Sequence, residues 1–220
     1  MPSGQSADEP QGIRVRRPYA PRLPPEQRRE QLLDAALGLI IEQGYAGVSI
    51  EAVARVAGVT RPVVYDHFSN LGRLLHALVE REERYALTQL EQVVPADPGN
   101  ASPPDLLAQG LQRFLEAVLD RPNTWRIILL PIEGTPSIIR EQVETNRARM
   151  QARITEMVKW AFSRPEFPND LDVELTAHAI RHLSEEAGRM VLTDPARFTP
   201  ERYVSFVESV VGLVWPEKAR

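Results

Sequence analysis

The sequence predicts an all-α chain in which a small three-helix unit near the N-terminus precedes a larger helical domain. Three observations carry the prediction. Apolar residues recur at intervals of three and four from Leu32 to Val214, the period of amphipathic helices. Pro122, Pro131, Pro136, Pro165, Pro195 and Pro200 fall between those segments, at helix ends where a missing N–H costs little. Nothing after residue 100 has the alternation of a half-buried strand.

The elements follow in order. Residues 1–25 hold six prolines with Ser, Gly and Gln, a composition that cannot pack a core and reads as a flexible arm. Leu32, Leu33, Ala36, Leu39 and Ile40 then mark a first helix, which Gly44 stops. Short helices over 49–57 and 60–68 follow. A long one from about Leu71 to Val94, with Leu74, Leu75, Leu78, Tyr85 and Leu90 at helical spacing, ends in PADPGNASPP. Five more are expected over roughly 104–120, 123–131, 136–162, 171–192 and 200–215, the last capped by Thr199. The predicted domains are a basic arm at 1–25, a compact unit at 26–75 and a helical domain at 76–220.

Composition limits the chemistry. With 220 residues the chain can bury a substantial core, and 43% hydrophobic with 25% charged residues is the balance of a soluble globular protein. No run approaches the ~20 apolar residues of a membrane span. MPSGQSADEP has no apolar signal core, so a cytoplasmic protein without a membrane partner is expected. The absence of cysteine removes disulfides, thiolate catalysis and Cys-ligated zinc. The net charge of −4 is unevenly spread, at +1 for residues 1–75 and −5 for the rest. Arg14, Arg16, Arg17, Arg22, Arg28 and Arg29 lie within sixteen residues that contain only Glu26 as an acid. Such an arm either enters a minor groove and lies along phosphates or is a solvated tail.

The strongest local signal is SIEAVARVAGVTRPVVYDHF, residues 49–68. Ser49 caps a short helix whose inner face is Ile50, Val53, Ala54 and Ala57, small enough at Ala54 for close approach of a second helix. Gly58 turns the chain, Val59 plugs the corner, Thr60 caps the next helix, and Val64 and Phe68 point inward four residues apart. The outward face then carries Thr60, Arg61, Pro62, Val63, Tyr65, Asp66 and His67, and the pattern is that of a helix-turn-helix entering a major groove. Arg61 suits bidentate bonding to guanine and Val63 and Pro62 suit thymine methyls, while His67, Tyr65 and Ser49 suit phosphate oxygens, and Tyr65 equally suits a base.

This order of residues resembles the TetR family of bacterial regulators over about residues 26–80. The likeness is carried by Gly44, Tyr45, Val48, Ser49, Ile50, Val53, Ala54, Ala57, Gly58, Val59, Thr60, Tyr65, His67, Phe68 and Leu74. One position departs, since the family's phosphate-contacting Lys at the start of the fourth helix is Leu71 here, with Arg73 as the substitute. The resemblance implies an N-terminal three-helix DNA-binding domain and a C-terminal ligand-binding and dimerisation domain. It further implies a homodimeric repressor on a near-palindromic double-stranded operator, released by a small apolar or amphipathic effector. No cofactor is expected.

In the larger domain, Phe114, Trp125, Ile128, Leu129 and Met150 belong to a concentration of apolar bulk, most of it core. Asn146 and Arg147 interrupt the inner stripe of Ile139, Val143, Met150, Ile154 and Met157. They either reach a ligand or satisfy a buried backbone or subunit contact. These seven, Phe114 to Met150 with Asn146 and Arg147, are the candidate ligand contacts. Leu183, Ala187, Met190, Phe206, Val210 and Val214 are the candidate dimer contacts, as two helices from each subunit can form a four-helix bundle. His178 and His182 share a helix face, but without a third ligand they read as packing, with Glu185 pairing Arg189. An enzyme is disfavoured, for the chain has no Gly-x-Ser-x-Gly elbow, phosphate-cradling glycine loop or His-Glu-x-x-His. A nonspecific DNA binder is disfavoured by the acidity of the larger domain.

Overall fold

The computed structural model describes residues 23–91, 93, 99, 101–130, 132, 134–165 and 171–214. The arm bearing Arg14, Arg16 and Arg17 lies outside them. Among the described residues every regular element is helical. The helices are α1 (Pro25–Gln43), α2 (Ile50–Val56), α3 (Arg61–His67), α4 (Leu71–Glu91), α5 (Pro103–Asp120), α6 (Pro122–Leu129), α7 (Ser137–Phe162), α8 (Val173–Thr193) and α9 (Pro200–Val214). A single 3-10 turn, Tyr45–Gly47, links α1 to α2.

Two apolar cores share α4. The first, here the head, gathers Leu32, Leu33 and Ile40 of α1, Val53 of α2, Val64 of α3 and Leu74 and Leu78 of α4. The second, the body, gathers Ala86 of α4 with Leu111, Phe114, Leu115 and Val118 of α5, Trp125 and Leu129 of α6, and Ala187 and Val191 of α8. The changeover therefore falls between Val79 and Ala86, inside one continuous helix, and α4 is the rigid connection between the two cores. Ile139 of α7 is buried in the head core, and Ile127, Ile132 and Val143 pack against it. α1 also packs on α6, so head and body meet at a second place.

Terminal chemistry places the short helices. Gly44 ends α1 at φ 71°, its N–H bonded to the Ile40 carbonyl at 2.9 Å. Gly58, at φ +68°, makes the turn between α2 and α3, a left-handed conformation that glycine takes without a Cβ penalty. α8 runs close to α5 and α6 at Gly188, where an added Cβ would lie 2.8 Å from Leu129 Cδ1 and 3.2 Å from the Phe114 ring. Asp172 Oδ1 caps α8 by accepting from the Leu175 N–H at 2.9 Å. Thr199 Oγ1 accepts from the Arg202 N–H at 3.3 Å, as the sequence predicts.

Candidate DNA-binding surface and ligand cavity

The sequence of α2 and α3 builds a two-helix unit with one buried and one open side. Ser49 Oγ accepts from the Ala52 N–H at 3.1 Å, satisfying one of the orphan donors of a helix start. Ile50, Val53, Ala54, Ala57, Val64 and Phe68 are buried. Thr60, Arg61, Pro62, Tyr65 and Asp66 are exposed, with Val63 and His67 half-buried. Ser49 is half-buried beside them and Arg73 is exposed on α4. One expectation is corrected: Thr60 stands at the N-cap of α3 but its side chain makes no cap hydrogen bond. Its hydroxyl is consequently available to another partner. Leu71, in the place of the family's lysine, is partly buried and packs on the head core, while Asn70 Oδ1 caps α4 through the Arg73 N–H at 2.9 Å.

Three contacts that the linear pattern does not reveal hold this unit. Gln31 of α1 donates to the Ala57 carbonyl at 3.1 Å, satisfying the end of α2. The Arg29 guanidinium covers the Phe68 ring at 4.4 Å and reaches the His67 carbonyl at 3.5 Å, so part of the basic segment braces α3. Arg61 is tied back to Glu51 of α2 at 3.1 Å. A hydrogen bond to Tyr65 and the Glu51 charge hold its guanidinium above its ordinary value. Both partners of the ion pair are exposed, so the pair is weak and can open for a base edge.

In the body, α4, α5, α6, α7 and α8, with Val211 of α9, line a partly open apolar cavity of about 290 Å³. All seven candidate ligand contacts line it: Phe114, Trp125, Ile128, Leu129, Asn146, Arg147 and Met150. Phe114 and Trp125 meet edge to face at 5.2 Å, and the indole donates to Gln89 at 3.2 Å. Sequence reasoning misses Glu83 on α4 and Arg181, Ser184 and Glu185 on α8, which also line the cavity. The only linear sign of them is polar residues on an otherwise apolar face.

The expected ion pair of Glu185 with Arg189 is present, but two other arginines lie nearer to the carboxylate. It turns inward, with Arg181 at 2.7 Å and Arg147 Nε at 3.6 Å, and Arg189 is the most distant at 3.8 Å. Arg147 also binds Glu144 at 2.6 Å and the Ile128 carbonyl at 3.4 Å. Burial raises the Glu83 carboxyl above the ordinary carboxylate range, against the opposing pull of the Gln142 and Asn146 amides and of Arg149. The His178 and His182 rings stack at 6.1 Å, and among the described residues no cluster of three or more His, Asp or Glu could hold a metal.

The candidate dimer contacts divide. Leu183 and Phe206 are exposed at 71% and 62%, and Val210 at 40%. Leu175, not among the candidates, is exposed at 70%. Met190 is half-buried, with its sulfur 3.0 Å from the Tyr203 hydroxyl. Ala187 is corrected: at 3% exposure it sits in its own chain's core, because the small residues Ala187 and Gly188 face α5 and α6. The Val214 side chain lies outside the described residues.

Between head and body lies a polar cluster with a buried centre and two exposed outer carboxylates, Glu30 and Asp34. Arg81 and Glu82 are 6% and 2% exposed. The Arg81 guanidinium binds Glu82 at 2.7 Å, Asp34 at 2.7 Å and Glu30 at 2.9 Å. Burial alone would lower its pKa, but Glu30, Glu82 and Asp34 more than offset that and hold it above the ordinary value. The second oxygen of Glu82 accepts the Thr124 hydroxyl of α6. Three helices, α1, α4 and α6, are thus joined through one arginine and one carboxylate.

A capped support helix, a glycine turn and an exposed second helix define a helix-turn-helix DNA-binding regulator. The family model described as "Bacterial regulatory proteins, tetR family" matches residues 32–78. The chain is 39% identical over 164 residues to the HTH-type transcriptional regulator SrpR of Pseudomonas putida, covering 72% of each. It is 32% identical over 99 residues to the HTH-type transcriptional activator FasR of Mycolicibacterium smegmatis, 45% of this chain and 42% of that protein. Its fold is similar to a TetR-like transcriptional regulator from Rhodococcus sp. RHA1, with TM-score 0.71, 24% identity, and 87% and 98% of the two chains covered. It is also similar to the transcriptional regulator FadR of Bacillus subtilis in complex with stearoyl-CoA, with TM-score 0.61, 19% identity, and 84% and 97% covered. The chain belongs to the TetR family of bacterial transcriptional regulators.

Proposed function

We propose that this regulator is a repressor that binds a near-palindromic operator as a homodimer and is released by a small apolar or amphipathic effector held in the α4–α8 cavity. The observation that carries the reading is that one helix, α4, belongs to both the head core and the cavity wall. Filling the cavity from α5 to α8 therefore acts on the helix that carries the DNA-reading unit. A dimer must hold two such units about one DNA turn apart, roughly 34–36 Å, so a small tilt of α4 is enough to lose the register. Arg61 reads guanine after leaving Glu51. Pro62 and Val63 meet thymine methyls, and Ser49, Thr60, Tyr65, His67 and Arg73 hold phosphates. The arm residues Arg14, Arg16 and Arg17 add salt-dependent affinity. The dimer forms through the outer faces of α8 and α9, where Leu175, Leu183, Phe206 and Val210 are exposed and would otherwise leave an apolar patch in water.

Selection of the purified protein against random duplex DNA tests this, followed by titration of the best site at several salt concentrations and by ligand release. A palindrome with half-sites about one turn apart, bound by two chains, is the expected result. Absence of sequence enrichment, with steeply salt-dependent binding alone, would overturn the specific-operator reading. Tighter operator binding on addition of effector would overturn release.

A further inference from the structure

The charged groups in the cavity wall are not equally provided for. Arg181 is bound to Glu185 at 2.7 Å and Arg147 to Glu144 at 2.6 Å, while Glu185 itself is surrounded by Arg147, Arg181 and Arg189. Both cations of the wall have carboxylates. Two buried polar atoms of the wall have no hydrogen-bond partner, Arg147 Nε and Glu83 Oε1, but Arg147 Nε lies 3.6 Å from the Glu185 carboxylate. The amides of Gln142 and Asn146 and the charge of Arg149 act on the Glu83 carboxyl, yet Arg149 is exposed and turns one guanidinium nitrogen to Asn146 at 3.5 Å. An acceptor left dry in this way carries a desolvation cost that a donor from a ligand removes.

We propose that Glu83 is the polar anchor of the effector site and that the effector is an apolar molecule bearing one hydrogen-bond donor, with a protonated amine the best match. The inference rests on the reading of the α4–α8 cavity as the effector site. An anionic head group is the poorer match, since it would meet Glu83 with like charge and compete with Glu185, whose carboxylate lies 2.7 Å from Arg181 and 3.6 Å from Arg147 Nε. A pure hydrocarbon leaves Glu83 Oε1 as dry as before. The size suits the rest of such a molecule, because about 290 Å³ is roughly twice the ~150 Å³ engineered cavity that admits benzene. Glu83 also neighbours Glu82, at the buried centre of the α1–α4–α6 cluster, so a charge arriving at Glu83 falls on the same turn of α4 that holds the head.

The test uses the full chain and three probes of equal tail, n-decylamine, 1-decanol and n-decanoate, each kept below its micelle concentration. Calorimetric titration reads the affinities. The expected order is amine, then alcohol, then carboxylate, with the ends about tenfold or more apart. Glu83→Gln, which keeps shape and removes charge, should weaken the amine about tenfold and leave the alcohol within about threefold. Met150→Trp, which fills the cavity, should abolish binding of all three. Decanoate binding tightest, or an amine affinity unmoved by Glu83→Gln, overturns the anchor while the cavity reading stands. Binding of none of the three, or binding that Met150→Trp leaves intact, overturns the cavity reading with it.

Discussion

On α4, Glu82 faces the seam between head and body, and Glu83 faces the cavity. The first is sealed: both of its oxygens are bonded, one to Arg81 and one to Thr124. The second keeps one oxygen buried and unbonded. The same contrast separates the two cores. The head is filled by aliphatic side chains at or near zero exposure, whereas the body is built around an open space of about 290 Å³. A region that must present one surface unchanged gains from a filled core, since packing complementarity selects a single arrangement. The body leaves contacts unmade around its space, as the proposed effector site requires, and has polar clusters at the margin of that space.

The largest effect should come from breaking the polar cluster between head and body. Arg81→Ala leaves Glu82, 2% exposed, without its cation and frees Glu30 and Asp34 from α4. A stability loss of about 3–5 kcal/mol is expected, measured by urea unfolding. A loss under about 1 kcal/mol would mean that water enters the seam and that head and body are less firmly joined than their contacts indicate.

Next comes the wall of the hollow region. Glycine-to-alanine inside a helix ordinarily gains about 1 kcal/mol. At Gly188 the added carbon would sit 2.8 Å from Leu129 Cδ1 and 3.2 Å from the Phe114 ring. Overpacking of that kind costs about 1–3 kcal/mol and should win, lowering the melting temperature and ligand affinity together. A net gain in stability with reduced ligand binding would show instead that Leu129 swings into the cavity.

The smallest effect tests a comparable orphan in the head. Tyr45 is buried and its hydroxyl has no hydrogen-bond partner, but it is not part of the α4–α8 cavity wall, so Tyr45→Phe should raise stability by about 1 kcal/mol and leave ligand affinity unchanged. Burial pushes the Tyr45 phenol up to about 12. The unfolded chain ionises first, near pH ~10. This group's contribution is therefore fully present below that pH and is lost as pH rises toward about 12. The alkaline arm of the wild-type pH–stability curve should be shallower in the Phe variant. An identical arm in the two proteins would place the titration elsewhere.

The DNA-reading unit was legible in the sequence because its determinants are local. Ser49 caps three residues ahead, Gly58 turns at positive φ, and Val64 and Phe68 share a face because they are four residues apart. The cavity's apolar lining was legible in part for the same reason, as Asn146 and Arg147 break a stripe of period 3.6. Glu83, Arg181 and Glu185 were not, because a polar residue on a helix reads as solvent-facing until a second helix covers it. Glu185 shows this: Arg189, four residues on, pairs with it as the sequence suggests, yet Arg181 and Arg147 also meet it from nearer by.

What the amino-acid order determined by itself was the set of helices, their ends, the helix-turn-helix and hence the class of regulator, all of them governed by interactions within a few residues. Only the tertiary structure decided which side of α8 is buried, placing Ala187 in its own core and Leu175 and Leu183 outside. It also decided that Arg81 of α4 gathers acids from α1 and that Glu83 is left with a dry oxygen at the cavity. Those outcomes depend on the positions of helices far apart in sequence, and a one-dimensional pattern records the periodicity of a face without recording what comes to lie against it.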